Sequence, residues 1–174
     1  MKELTAKQGK VYRIPISKLS DSLDEFLFSA LNFWQAANYV AEKGGLKIAV
    51  GLSILAIEEL GKYNLLHEAA LAADPKGELE IREAVFKSHR IKSEKGQELL
   101  KGLGVDVELA GIPLTKETRE QLWYVAWDDK SQQFKRDLGP LERGAMLKEA
   151  NLRELIRQGL NMMRELFRNN RSHS

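Results

Sequence analysis

The segment "IAVGLSILAI", from Ile48 to Ile57, constrains the fold of this chain more than any other, because its only polar side chain is Ser53. As a helix it is apolar on every side for about three turns. A helix of that kind is buried against several neighbours at once. It is too short to cross a bilayer, which takes about 20 apolar residues. Directly after it come Glu58, Glu59 and Lys62. Charge at the end of a buried helix is costly unless it is paired or reaches a cavity. The central helix of a bundle, ending in a polar cluster, satisfies both demands.

The rest of the chain supplies neighbours for such a helix. "KVYRIPIS" (Lys10 to Ser17) alternates like a short strand, and Pro15 restricts it to an edge or an extended arm over residues 1–20. Ser22 and Glu25 stand at capping-box spacing, which predicts a first helix over about 23–42 with Leu27, Ala30, Leu31, Trp34 and Ala37 on one face. Gly44-Gly45 ends it. The second helix spans about 47–73, and its Gly51 and Gly61 are of the kind that marks close helix contacts. A third helix is expected over about 78–102, followed by the loop "GLGVDVELAGIP". Thr115 caps a fourth through "KETREQLWYVAWDD", with Trp123 and Trp127 four apart on one face. The last helix, about 141–169, places Leu147, Leu152, Leu155, Ile156, Leu160, Met163 and Phe167 at helical spacing. The prediction is an all-α bundle of four to five helices in one domain, 1–174.

Bulk chemistry narrows the function classes. There is no cysteine, which excludes disulfides, thiolate metal sites and Cys nucleophiles. "MKELTAKQGK" carries no apolar h-region behind it, so a cytoplasmic protein with no membrane contact is expected. Net charge is only +2, but two basic patches stand out. Lys87, Arg90, Lys92 and Lys95 are opposed only by Glu94; Arg153, Arg157, Arg164, Arg168 and Arg171 are opposed by Glu154 and Glu165. Either patch is a solvated face or a surface for a polyanion.

Several polar residues fall beside the apolar faces. Glu59 and Lys62 are three apart and neighbours on one helix surface, as are His89 and Lys92. Arg82 and His89, seven apart, share a face if both are helical. A compact bundle gathers Asn32 and Asn38 from the first helix, Glu58, Glu59 and Lys62 from the second, and His89 and Lys92 from the third. Surface ion pairs and an internal polar cluster are both open readings of these residues. A di-metal carboxylate site needs Glu-x-x-His, but Lys62 follows Glu59 by three and Gly61 follows Glu58 by three. No metal and no cofactor is expected, since "KGLGVD" matches neither phosphate-binding glycine motif. His67 and His173 have no partner at ligand spacing, and Trp123, Tyr124 and Trp127 read as core packing before base stacking.

The ordered set "ALNFWQAANYVAEKG", "AIEELGK", "FKSHRIK", "REQLWYV" and "LGP" resembles the AbiV family of bacterial abortive-infection proteins, divergent HEPN-like helical domains of phage defence. The resemblance runs from about residue 23 to residue 160. It implies a role for Asn32, Glu58, Glu59, Lys62, His89, Lys92, Arg119 and Tyr124. Where relatives have an Asp after the Tyr-Val pair, this chain has Ala126, with Asp128 and Asp129 beyond. HEPN ribonucleases carry an Arg, four to six residues, then a His; Arg82 and His89 enclose six, and Glu83 follows the Arg.

Two functions follow from that resemblance. In one, the chain is an endoribonuclease that uses the 2′-hydroxyl as nucleophile without metal. His89 is then the acid/base, Arg82 and Lys92 stabilise the phosphate, and Glu59 orients His89 or holds Lys62. In the other, the polar cluster is structural and the chain is a non-enzymatic defence protein that binds a phage or host protein. The resemblance also implies a homodimer.

Overall fold

A computed structural model of the chain describes residues 10–73, 77–123, 126–128, 133–135 and 149–171. At its centre lies the apolar segment, within helix α2 (Leu46–Leu71), where Ala49, Val50, Ile54, Ala56, Ile57 and Leu60 are all fully buried. Burial on every side needs cover on every side, and α2 packs against four other helices. These are α1 (Leu19–Glu42), α4 (His89–Gly102), α5 (Lys116–Trp123) and α6 (Glu149–Arg171). α1 folds back on α2 through Gly44, whose φ of 83° suits a residue without Cβ. The stripe Leu27, Ala30, Trp34 and Ala37 of α1 meets Leu152, Leu155, Ile156 and Met163 of α6 in the same core. α6 seats directly on the Trp34 indole at Gly159, where a Cβ would stand 2.7 Å from Cζ2.

The described residues form an all-α bundle with two small two-stranded antiparallel sheets. Strand β1 (Val11–Pro15) pairs antiparallel with β2 (Glu78–Arg82), in the register Val11 to Arg82 and Pro15 to Glu78. A short 3-10 stretch, Ile16–Lys18, leads from β1 into α1. Leu79 and Ile81 point inward and join Leu19 and Leu66 in a second, smaller core. The other sheet pairs β3 (Ala126–Asp128) antiparallel with β4 (Gln133–Lys135).

Three expectations need correction. Residues 78–82 are a strand, because "ELEIR" buries alternate positions with period two. The helix expected over 78–102 is therefore two: the five-residue α3 (Glu83–Lys87), then α4, separated by the extended Ser88 whose hydroxyl accepts from the Ile91 N–H. α1 starts at Leu19, so Ser22 and Glu25 lie inside it and form no capping box. With α3 counted, six helices stand among the described residues, against the four to five expected. Thr115 does accept from the Thr118 N–H at the start of α5. The expected start of the last helix near Leu141, Leu147, and the side chains of Trp123, Tyr124 and Trp127 lie outside the described residues.

Candidate functional site

Glu58 follows the apolar stretch on α2 and is 4% exposed. A carboxylate so placed needs partners, and two other helices bring them. The His89 Nδ1, at the first residue of α4, lies 2.9 Å from Glu58 Oε2. From α5, Arg119 Nη1 donates to Oε1 over 3.4 Å. One carboxylate thus joins α2, α4 and α5.

Two glycines allow this approach. A Cβ on Gly61 would stand 1.8 Å from the Lys92 carbonyl oxygen, and one on Gly96 would stand 2.0 Å from that of Ile57. Backbone therefore rests on backbone where α2 crosses α4. That contact sets the start of α4 over Glu58. The segment before α5 is anchored separately: the buried Ser93 hydroxyl donates to the Leu114 carbonyl over 2.6 Å, and the Gln97 amide reaches both. Arg119 is held in reach of Glu58 from there.

Lys92 is one turn beyond His89 and only 7% exposed. Burial pushes its ammonium pKa below the ordinary lysine value, and the nearby Glu58 pulls the other way. Next to this group, Glu59 pairs with Lys62, whose ammonium also lies 5.3 Å from the centre of the Phe26 ring. Glu58 and Glu59 face the cations Lys62, Lys92 and Arg119, so the inner group carries one positive charge in excess. At the rim Glu117 is held below the usual carboxylate range, first by its own backbone N–H and the Thr115 hydroxyl, with Lys116 and His89 adding to this.

A carboxylate only accepts, so Nδ1 of His89 carries the proton in this contact and Nε2 is left for other chemistry. The His89 side chain is 40% exposed, whereas the side chains of Glu58 and Arg119 are buried or nearly so. Among the described residues of the cluster, the imidazole is the most exposed side chain. Among the described residues no set of three or more His, Asp and Glu is placed to hold a metal ion.

The predicted site residues divide accordingly. Glu58, His89, Lys92 and Arg119 come together, and Glu59 with Lys62 lies beside them. The carboxylate on His89 is Glu58, not Glu59, which sits a further 100° or so around α2 and is occupied by Lys62. Arg82 shares no helical face with His89: it is exposed on β2 opposite Val11, and no side-chain contact joins it to the cluster among the described residues. Asn32 is exposed on α1, and Asn38 donates to Glu42 on the side facing α6, so neither joins Glu58. Tyr124 lies outside the described residues. Ser93, Gln97 and Gly96 escaped the sequence reading; the only local trace was a glycine in a polar helix.

The fold and site define a class: an all-α bundle whose central helix presents a buried carboxylate to a histidine and an arginine from two neighbours. The HEPN-type AbiV family model matches residues 19–164, and the chain belongs to the AbiV family. It is accordingly an abortive-infection, HEPN-type defence protein. No curated protein and no solved structure matches the chain. No helix among the described residues is long and apolar enough to cross a membrane.

Proposed function

We propose that this AbiV-family chain acts in phage defence as a metal-independent endoribonuclease, with His89 as its acid/base. The observation that carries this reading is the Glu58–His89 contact, which holds by Nδ1 an imidazole whose side chain is 40% exposed. In RNA the 2′-hydroxyl oxygen attacks the adjacent phosphorus and the bond to the 5′-oxygen breaks. Neutral His89 accepts the 2′-hydroxyl proton at Nε2, the 5′-oxygen leaves as a hydroxyl with a proton from water, and the imidazolium returns its proton to solvent. The products are a 2′,3′-cyclic phosphate and a 5′-hydroxyl. Positive charge from Arg119 and Lys92 offsets the charge growing on the phosphate oxygens. Glu58 is a positioning residue, Glu59 holds Lys62, and Arg82 has no part. A homodimer belongs to this proposal, and solution scattering that gives a compact monomer at high concentration would remove it.

The burial of Glu58 and Lys92 favours a second reading, in which the cluster is structural and the chain acts by binding a phage or host protein. Expression in a bacterial host separates the two. Growth arrest by wild type, accompanied by fragmented RNA and relieved by a folded His89→Ala variant, supports the ribonuclease. Arrest that persists in His89→Ala supports the binder.

A further inference from the structure

Helix α6 carries a feature that the Glu58 site does not use. At about 100° per residue, Arg153, Arg157, Arg164 and Arg168 fall within an arc of roughly 60° and span about 22 Å along the helix. The core-facing residues Leu152, Ile156 and Met163 occupy the neighbouring arc, so this stripe runs along the margin where α6 meets α1. Arg157, Arg164 and Arg168 are exposed and Arg153 is half-buried.

The margin has relief. Near the N-terminal end of α6, Asn38, Ala41 and Glu42 of α1 face Arg153, Ile156 and Arg157 across a cavity of about 310 Å³. Further along, Phe28 and Phe167 meet with ring centres 6.3 Å apart, beside a cavity of about 160 Å³ that Asp24 and Glu25 also line. Phe28 is 51% exposed, unusual for a ring with apolar neighbours at hand. α1 and α6 run antiparallel here, so the two cavities sit about 20 Å apart along one groove.

Cations repeated along a helix, with an open aromatic ring beside them, match one partner chemistry. Phosphates follow the cations while bases stack on the ring, without sequence readout. Arg153 is paired with Glu149, and Arg157 with Glu154. Each pair is made by two hydrogen bonds at the surface, so a phosphate takes these arginines by displacing their carboxylates. The carboxylates Asp24, Glu25 and Glu42 keep the phosphate path on the α6 side. Because α6 lies on α1 whereas His89 and Arg119 come from α4 and α5, the groove is separate from the Glu58 cluster.

We infer that the α1/α6 groove binds a single-stranded nucleic acid, its backbone along Arg153, Arg157, Arg164 and Arg168 and a base on Phe28. Such a groove serves a ribonuclease as a substrate track, yet it stands whether or not the chain cleaves RNA. The test is fluorescence anisotropy with a labelled single-stranded RNA oligonucleotide on the full chain. A His89→Ala background keeps the probe intact, so failure of the cleavage reading leaves this result untouched.

Arg157→Gln with Arg164→Gln should weaken binding at least tenfold near physiological salt. The slope of log K against log salt should fall by about 1.4, which is 0.7 for each phosphate contact on a single strand. Phe28→Leu keeps the apolar fill and loses the ring, and should cost roughly 5- to 100-fold. Lys101→Gln, an exposed cation outside the groove, should change affinity less than twofold. No binding by the parent protein, or an arginine variant that binds like it with the same slope, overturns the proposal. An effect of the arginine pair with none from Phe28→Leu, and equal competition by inorganic polyphosphate, also overturns it, because the surface would then read charge alone.

Discussion

Gly61→Ala probes what holds the site together. Its Cβ would stand 1.8, 2.5 and 2.8 Å from the carbonyl oxygen, carbonyl carbon and Cα of Lys92. These are backbone atoms within α4, so no side-chain rotation relieves the overlap. Ordinary contact requires α4 to retreat by roughly 1.5 Å, and overpacking of this kind costs about 1–3 kcal/mol or more. Retreat also stretches the 2.9 Å contact between His89 and Glu58. A hydrogen bond to a charged group contributes about 1.5–3 kcal/mol. Opposing both is the better helix propensity of alanine, about 1 kcal/mol. The balance is a loss of about 2–4 kcal/mol, a fall in Tm of roughly 5–15 °C for a chain of this size. Calorimetry or circular dichroism reads it directly. Gly102→Ala is the control, since nothing lies within 4 Å of its added Cβ, and it should melt close to wild type. A Gly61→Ala protein that melts at or above wild type would refute the reasoning, because the two backbones would then not be in contact.

Other substitutions test the charges around Glu58. Glu58→Ala leaves Lys92 and Arg119 without their carboxylate and should cost about 3–5 kcal/mol by denaturant titration. Lys92→Met removes an ammonium that burial already disfavours, and its cost should stay within about 1 kcal/mol. The Lys92 pKa is lowered on folding, so the unfolded chain binds more protons and wild-type stability should rise with pH between that lowered value and the ordinary 10.5; Lys92→Met should lose this rise. Lys62→Met, which strands the half-buried Glu59, should lower Tm more than Lys95→Met, whose partners Glu68 and Glu98 are largely exposed. Equal, negligible effects would make Glu59 and Lys62 ordinary surface residues.

How far the molecule is legible in its sequence depends on whether the deciding contact is local. The apolar run into "EELGK" specifies α2 as a central helix, because no surface helix can carry Ile54, Ile57 and Leu60 with so little polar relief. The strand Glu78–Arg82 was less legible. Its alternation covers only five residues, and the β1 segment it pairs with lies some 63–71 positions earlier. Losing that strand also put Arg82 on a helical face it does not have. The choice between Glu58 and Glu59 was equally non-local: the two are adjacent, and only the side on which α4 crosses decides which one meets His89. That crossing is set by Gly61 together with Gly96, a pair that no single segment displays. Asn38 sits beside the apolar stripe as expected, yet it faces α6, because α6 and not α4 covers that edge of α1.

The central claim is that His89, held by Glu58, performs acid–base chemistry on RNA. Its most direct test is the end group left on single-stranded RNA incubated with purified protein in the presence of a chelator. The account predicts 2′,3′-cyclic phosphate ends from wild type, no cutting of the matching DNA, and a loss of about 10²–10⁴-fold for His89→Ala. Lys95→Ala, outside the cluster, should change the rate only modestly. Cleavage by His89→Ala at the wild-type rate, or 3′-hydroxyl ends in place of the cyclic phosphate, would contradict it.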